Sequence, residues 1–396
     1  MDNLISQCSE RLDVFLSSQL GISRNQISNL IKSEAVRVDG AVQTKPGYKL
    51  SAGELVHIDY PAPAPQQMSA ERLNFDVEIL YEDDDLLVVN KPAGLTVHPA
   101  ASVKEPTLVD WLKSRGYLLS TLGGELRAGI VHRLDKLTSG ALLVAKNNAA
   151  HAALSAQLSD KSMGRIYLAL IDLPLKEPCV IERPIARNPA NRLKMGIAPG
   201  GRSAKSAFYE ILSGAELAEL QNSIEKSDEI LSASDGAVAG KSAVADKISA
   251  ADMSAAQPRP ARLAENKALN FKNPAQNQIL PPINPKSFNL VAAKLFTGRT
   301  HQIRVHLSSI NRHILGDHLY GFKSENAKIS RILLHAYLLY FIHPRSGKEV
   351  KICAGLPSEF LNFTTNQKVK DEIYEKILPT NVERYFSDIS GWLRYV

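Results

Sequence analysis

Cysteine is scarce in this chain: Cys8, Cys179 and Cys353 are the whole complement, far apart and without a CxxC pair. Neither a disulfide framework nor a thiolate zinc site is implied, and the three read as small core hydrophobes. Long apolar runs are also missing, none approaching the ~18 residues of a membrane-crossing helix. The start, Met-Asp-Asn-Leu-Ile-Ser-Gln, has no basic segment followed by an apolar stretch, so the expectation is a cytoplasmic protein with no membrane partner. Neither sign of charge dominates: 47 Lys and Arg face 41 Asp and Glu, a net of +6 that suits a polyanionic partner without requiring one. What remains is ordinary globular material, 396 residues with 44% hydrophobic content, enough for two to three domains with a substantial core.

The pattern along the chain divides it. In residues 1–60, Leu12, Phe15 and Leu16, then Ile27, Leu30 and Ile31, recur at helical spacing. Val36 and Val38 lead into the turn Asp39-Gly40, and Leu50, Val56 and Ile58 complete a small β element. Residues 61–74 form a Pro/Ala-rich linker, expected to be extended. Residues 75–365 mix short strands, such as 86–89 and 166–171, with few helices, such as 149–158, which predicts an α+β domain and not a regular βαβ repeat. Between 214 and 285 the composition shifts to Ala, Ser, Asn, Gln and charged residues with Phe271 as the one aromatic, predicting a disordered insertion. Residues 366–396 read as a helical extension.

The run from Ala128 to Lys146 sets a carboxylate, Asp135, between two apolar strand-like pieces, residues 130–131 and 141–145, with Thr138, Ser139 and Gly140 as a turn. A carboxylate there is partly desolvated, which is costly unless a cation and hydrogen-bond donors answer it. That makes Asp135 a candidate active-site acid; the alternative is a structural ion pair with Arg133 or Lys136.

His132-Arg133-Leu134-Asp135, followed by Thr138-Ser139-Gly140, resembles the catalytic signature of the RluA-type (RluD-like) RNA pseudouridine synthases. Three further blocks match in order: Asn90-Lys91-Pro92-Ala93-Gly94 with Val97-His98-Pro99, Gly298 to His306 continued by Gly316-Asp317 and Tyr320-Gly321, and Leu334-His335-Ala336 with His343-Pro344. Arg11-Leu12-Asp13, Ser23-Arg24 and Val36 to Gly40 resemble an S4 (αL) RNA-binding domain. The resemblance implies a central, largely antiparallel sheet crossed by a cleft. It also implies isomerisation of uridine in structured RNA, a ribosomal RNA or a ribosomal precursor particle, by a monomer.

By that resemblance Asp135 attacks C1′ or takes a proton from C2′, and the residues leave both routes open. Arg304 is the expected cation beside it, with Arg299 as the other candidate. Tyr167 would pack on the uracil and assist proton removal from C5, and Leu334 would supply apolar contact. Arg133 would fill the gap left by an extruded base, and His132 is a further RNA-contact candidate. On the N-terminal module Arg11, Arg24, Asn25, Lys32 and Arg37 are candidate contacts. The reaction consumes neither water nor redox equivalents, so no cofactor or metal is expected. His301, His306, His313 and His318 raise a metal-dependent hydrolase as a competing reading, but their five-residue separations do not match a helical zinc motif. A transfer-RNA target for the same chemistry is a second reading, and a non-catalytic S4-type RNA-binding or ribosome-assembly protein is a third.

Overall fold

The computed structural model describes residues 2–20, 24–59, 73, 75–100, 103–235, 288–323, 329 and 331–396. The linker 61–74 falls almost entirely outside these residues, as does the part of the expected insertion beyond 235.

The N-terminal module runs β1 (Asp2–Ile5), α1 (Leu12–Leu20), α2 (Arg24–Lys32), β2 (Val36–Val38), β3 (Ala41–Val42) and β4 (Leu55–Ile58). Its sheet has the order β1-β4-β2-β3, with every pair antiparallel. The apolar residues at helical spacing are the ones buried between the two helices and the sheet. Leu122, from the larger domain, is fully buried in the same cluster.

The larger domain continues with β5 (Glu78–Glu82), β6 (Leu86–Lys91), α3 (Leu108–Ser114), β7 (Ser139–Ala145), α4 (Asn148–Asp160), β8 (Gly164–Ile171) and β9 (Cys179–Ile181). Next come the β10 (Ile185–Arg187) and β11 (Met195–Ile197) hairpin, β12 (Ser206–Leu212), α5 (Gly214–Asp235), β13 (Asn289–Leu295) and α6 (Gln302–Ser308). The chain closes with β14 (Leu334–Ile342), β15 (Glu349–Cys353), α7 (Gln367–Lys376), α8 (Pro379–Tyr385) and β16 (Leu393–Tyr395). Ten strands form one sheet in the order β16-β9-β12-β13-β8-β14-β7-β6-β5, with β15 also on β14. Only the β14·β7 and β16·β9 pairs are parallel, so the sheet is largely antiparallel as expected.

Both faces of this sheet are covered, which is why β6, β7 and β8 are nearly continuous apolar runs instead of alternating ones. Tyr167, Ala169 and Ile171 of β8 join one core with α3 and α6. Ile166, Leu168 and Leu170 join the opposite core with α7 and α8. Thr107 caps α3 in a reciprocal box with Asp110, and Asn147 caps α4 through the Ala150 N–H. Gly140 lets β7 meet β14: its φ is +114°, and a Cβ would lie 2.2 Å from the Ala336 carbonyl oxygen.

Three expectations change. The stretch expected to lack structure from 214 onward begins as α5, with Leu217 and Ala218 buried and Leu220 and Ile224 packed on the second core. Four apolar residues at helical spacing anchor it, a signal diluted by the polar composition that follows. The C-terminal extension is helical only in part, since its last residues add β16 to the sheet. Of the cysteines, only Cys179 is a core residue, while Cys8 and Cys353 are exposed.

Candidate active site

Asp135 sits in the loop between Ile130, bridged to Val144, and β7. Several buried groups hold this loop. Lys91, fully buried at the end of β6, donates from Nζ to the carbonyls of Pro92 (2.9 Å), Leu95 (2.8 Å) and Lys136 (3.1 Å). Burial pulls its pKa down to about 7, against the opposing pull of Asp135. His132 accepts the Leu143 N–H at Nε2 (3.1 Å), and burial pulls its pKa down to about 3, so the ring is neutral. The ring is buried and orders the loop from inside, and it is not among the residues that line the cleft around Asp135.

The carboxylate of Asp135 is 16% exposed, at the floor of a cleft it shares with Arg133, Arg165, Tyr167, Arg304 and Leu334. Residues far apart in sequence meet here because β8 and β14 are paired neighbours and α6 contributes Arg304 to the same cleft. Arg304, on α6, places Nη1 3.3 Å from Asp135 Oδ2. Its stronger bonds go elsewhere: Nε to Asp317 Oδ2 at 2.7 Å and Nη2 to Asp317 Oδ1 at 2.9 Å. Burial lowers the guanidinium's pKa, but Asp317 and then Asp135 outweigh it and raise it overall. The Arg304 guanidinium also lies 4.8 Å from the Tyr320 ring centroid.

His301, held at a left-handed φ of +56°, brings Nε2 to 3.8 Å from Asp135 Oδ2. Tyr320 Oη accepts the Met195 N–H at 2.8 Å and lies within hydrogen-bond distance of His301 Nδ1, at 2.8 Å. Burial holds His301 below its ordinary pKa, so the ring is neutral. Tyr167 is buried with its phenol pushed up to about 12, and it is protonated at neutral pH. Leu334 is buried at the start of β14, as the apolar-contact expectation requires.

A structural ion pair for Asp135 finds no support. Lys136 pairs with Glu105 at 2.6 Å, and Arg133 is exposed with no ion pair among the described residues. Arg299 is not the partner of Asp135 but donates from Nε to the Ser203 carbonyl at 2.9 Å. On the N-terminal module, Arg11 and Arg24 both close on the buried Asp13, at 2.9 and 2.7 Å, holding its carboxyl down to about 2. Arg37 approaches Asp59 at 3.6 Å, and Lys32 is exposed.

The four histidines that suggested a hydrolase do not converge. His306 meets Ser206 Oγ and the Arg183 carbonyl, His313 pairs with Asp172, and His301 faces Tyr320. Among the described residues, Asp83, Asp85 and His343 come near enough to share an ion, but Tyr81, Arg345 and Asn147 already occupy those carboxylates.

Three site residues carried no role in the sequence. Asp317 was visible only as half of a Gly-Asp pair in a matching block. Lys91 marked a strand end, with no sign of its loop contacts. Arg165 has a usable signal, since it precedes Tyr167 by two on a strand and so shares its face.

The sequence pattern of the family described as RNA pseudouridylate synthase matches residues 85–309, and that of the S4 domain matches residues 10–56. An uncharacterized RNA pseudouridine synthase of Helicobacter pylori strain J99 is 39% identical over 368 residues, covering 92% of each chain. The ribosomal large subunit pseudouridine synthase D of Zymomonas mobilis is 34% identical over 359 residues, covering 88% of this chain and 91% of that one. Among solved structures, human RNA pseudouridylate synthase domain containing 1 is similar at 20% identity with a TM-score of 0.43, covering 78% of this chain and 88% of that one.

Proposed function

This chain belongs to the RNA pseudouridine synthase family, with an S4 domain at its N-terminus, and we propose that it isomerises uridines of large-subunit (23S) ribosomal RNA through Asp135. The observation that carries the assignment of Asp135 is its position: a half-sheltered carboxylate on the cleft floor, beside Tyr167 and Leu334, with one oxygen facing Arg304 and His301. The ribosomal target follows from the relative named for the large subunit and from the S4 module that accompanies the catalytic domain.

The chemistry needs a base to leave a sugar. Asp135 supplies the group that answers the developing deficiency at C1′, by bonding to it or by taking the C2′ proton. Arg304 donates to Asp135 Oδ2 at 3.3 Å while remaining anchored by Asp317. Tyr167 and Leu334 form the apolar wall against which the flat uracil lies. An extruded nucleotide leaves a gap in the RNA, at a cost of roughly a few kcal/mol. The exposed Arg133 guanidinium, free of ion pairs among the described residues, fills that gap by stacking.

Pseudouridine mapping of total RNA from cells with and without the gene tests the target. Large-subunit sites that disappear on deletion, and return with wild type but not with Asp135→Asn, support the proposal. Losses confined to transfer RNA would move the target, and no loss in any RNA would reject the reading.

A further inference from the structure

Arg165 and Tyr167 are two residues apart in β8, so the period of the strand puts both on the face toward the cleft. Arg165 is 9% exposed, its Nε is buried without a partner, and no acceptor pairs with its guanidinium among the described residues. Arginine remains charged in proteins, and a buried, uncompensated cation is costly to the fold. The neighbouring cations differ. Arg304 is neutralised by Asp317, Arg133 is exposed, and Arg299 bonds a backbone carbonyl.

Gly298 makes room for this group. A Cβ there would sit 2.7 Å from Arg165 Nη1, while the φ of Gly298 lies outside the left-handed region. A side chain at position 298 would therefore force the guanidinium to shift, whereas the backbone there sets no such limit.

We propose that Arg165 is a further catalytic residue, donating to a carbonyl oxygen of the target uracil and stabilising the anion the base becomes as it leaves the sugar. The inference rests on the reading of Asp135 given above. When N1–C1′ breaks, the electron pair stays on N1, and the ring carries one negative charge shared with its two carbonyl oxygens. Asp135 meanwhile bonds C1′ or takes the C2′ proton. After the ring turns, C5 bonds to C1′ as the Asp135–C1′ bond breaks or, on the other route, as Asp135 returns the proton to C2′; the C5 proton is then lost and N1 gains a proton, so the product is an isomer. A neutral uracil carbonyl binds a guanidinium less strongly than the anion does, so this contact strengthens toward the transition state. A phosphate is the less suitable acceptor: Arg165 lies on the floor beside Tyr167 and Leu334, where the base rests, whereas the more exposed Arg299 is placed to meet the backbone.

The test is single-turnover release of tritium from unmodified large-subunit ribosomal RNA transcript labelled at uridine C5, with saturating full-length enzyme. Arg165→Met is expected to slow release about 100-fold or more. Its Kd should stay within about threefold of wild type, with an unchanged salt slope. Arg165→Lys should recover at least about tenfold of the loss, because the charge returns. On transcript containing 5-fluorouridine, followed by mass spectrometry of the digested RNA, the Arg165→Met defect should shrink, since fluorine itself stabilises the departing anion. A lost structural prop would not discriminate between the two bases. A rate within about threefold of wild type overturns the inference, as does a weaker Kd with a salt slope reduced by about 1 and an unchanged saturated rate, the mark of a phosphate contact. If Arg165→Met does not fold, Gly298→Ala decides: displacement of the guanidinium should slow release at least about tenfold with Kd unchanged, and no slowing overturns the inference. Wild-type enzyme that releases no tritium would instead reject the underlying functional reading.

Discussion

Arg304 grips Asp317 with two hydrogen bonds, of 2.7 and 2.9 Å, and reaches Asp135 with one of 3.3 Å. Asp317 is 1% exposed and depends on this cation, whereas Asp135 opens to the cleft. Arg304 is therefore a structural member of the site as well as a neighbour of the Asp135 carboxylate.

Arg304→Met is expected to destabilise the fold by about 3–5 kcal/mol, because it leaves the Asp317 carboxylate buried without its cation. Adding Asp317→Asn should restore part of that loss, and adding Asp135→Asn should restore little. Guanidinium unfolding of the three variants measures this. Equal rescue by Asp135→Asn would show that the cation mainly serves Asp135.

Burial lowers the pKa of His132 to about 3, and those of His98, His151, His306 and His335 each to about 4. In the unfolded chain they protonate below about 6.5, so there the unfolded state binds more protons than the folded one. Stability is therefore complete above about pH 6.5 and is lost as pH falls toward 4, by roughly 1–2 kcal/mol per histidine at pH 5. The urea midpoint should drop clearly between pH 7.5 and pH 5.0. A flat midpoint would mean that these rings are hydrated or charged in the fold.

Leu217 is 1% exposed in α5, against the core that also takes Val369 and Ile373. Leu217→Ala should cost about 2–5 kcal/mol. Replacing residues 236–285 with a short Gly/Ser linker should leave the melting temperature within a few degrees of wild type, on the strength of their composition. A large drop from the linker replacement, or none from Leu217→Ala, would reverse the boundary between core and insertion.

Much of the architecture was legible because it is written in local periodicity. Ile166 to Ile171 reads as a strand whichever face it buries, and Leu12, Phe15 and Leu16 read as one helical stripe. Asp135, Arg304, Tyr167 and Leu334 were singled out through motif resemblance, and the fold brings all four to one cleft. What stayed hidden depends on partners distant in sequence. Lys91 binds a carbonyl 45 positions away, and the unpaired state of Arg165 emerges only when every neighbour is known. His132 and Arg133 are adjacent in sequence, yet one is buried and the other exposed. The start of α5 was masked by a composition that averaged four anchoring residues with a long polar stretch.

The central claim is that the Asp135 carboxylate carries the chemistry. Asp135→Asn keeps size and some hydrogen bonding while removing the charge, and it leaves the Arg304–Asp317 pair in place. The decisive measurement is pseudouridine formation by purified Asp135→Asn on an unmodified large-subunit ribosomal RNA transcript, with RNA affinity and melting temperature recorded on the same preparation. The account predicts no detectable pseudouridine while affinity and melting temperature stay near wild type; formation at a substantial fraction of the wild-type rate would contradict it.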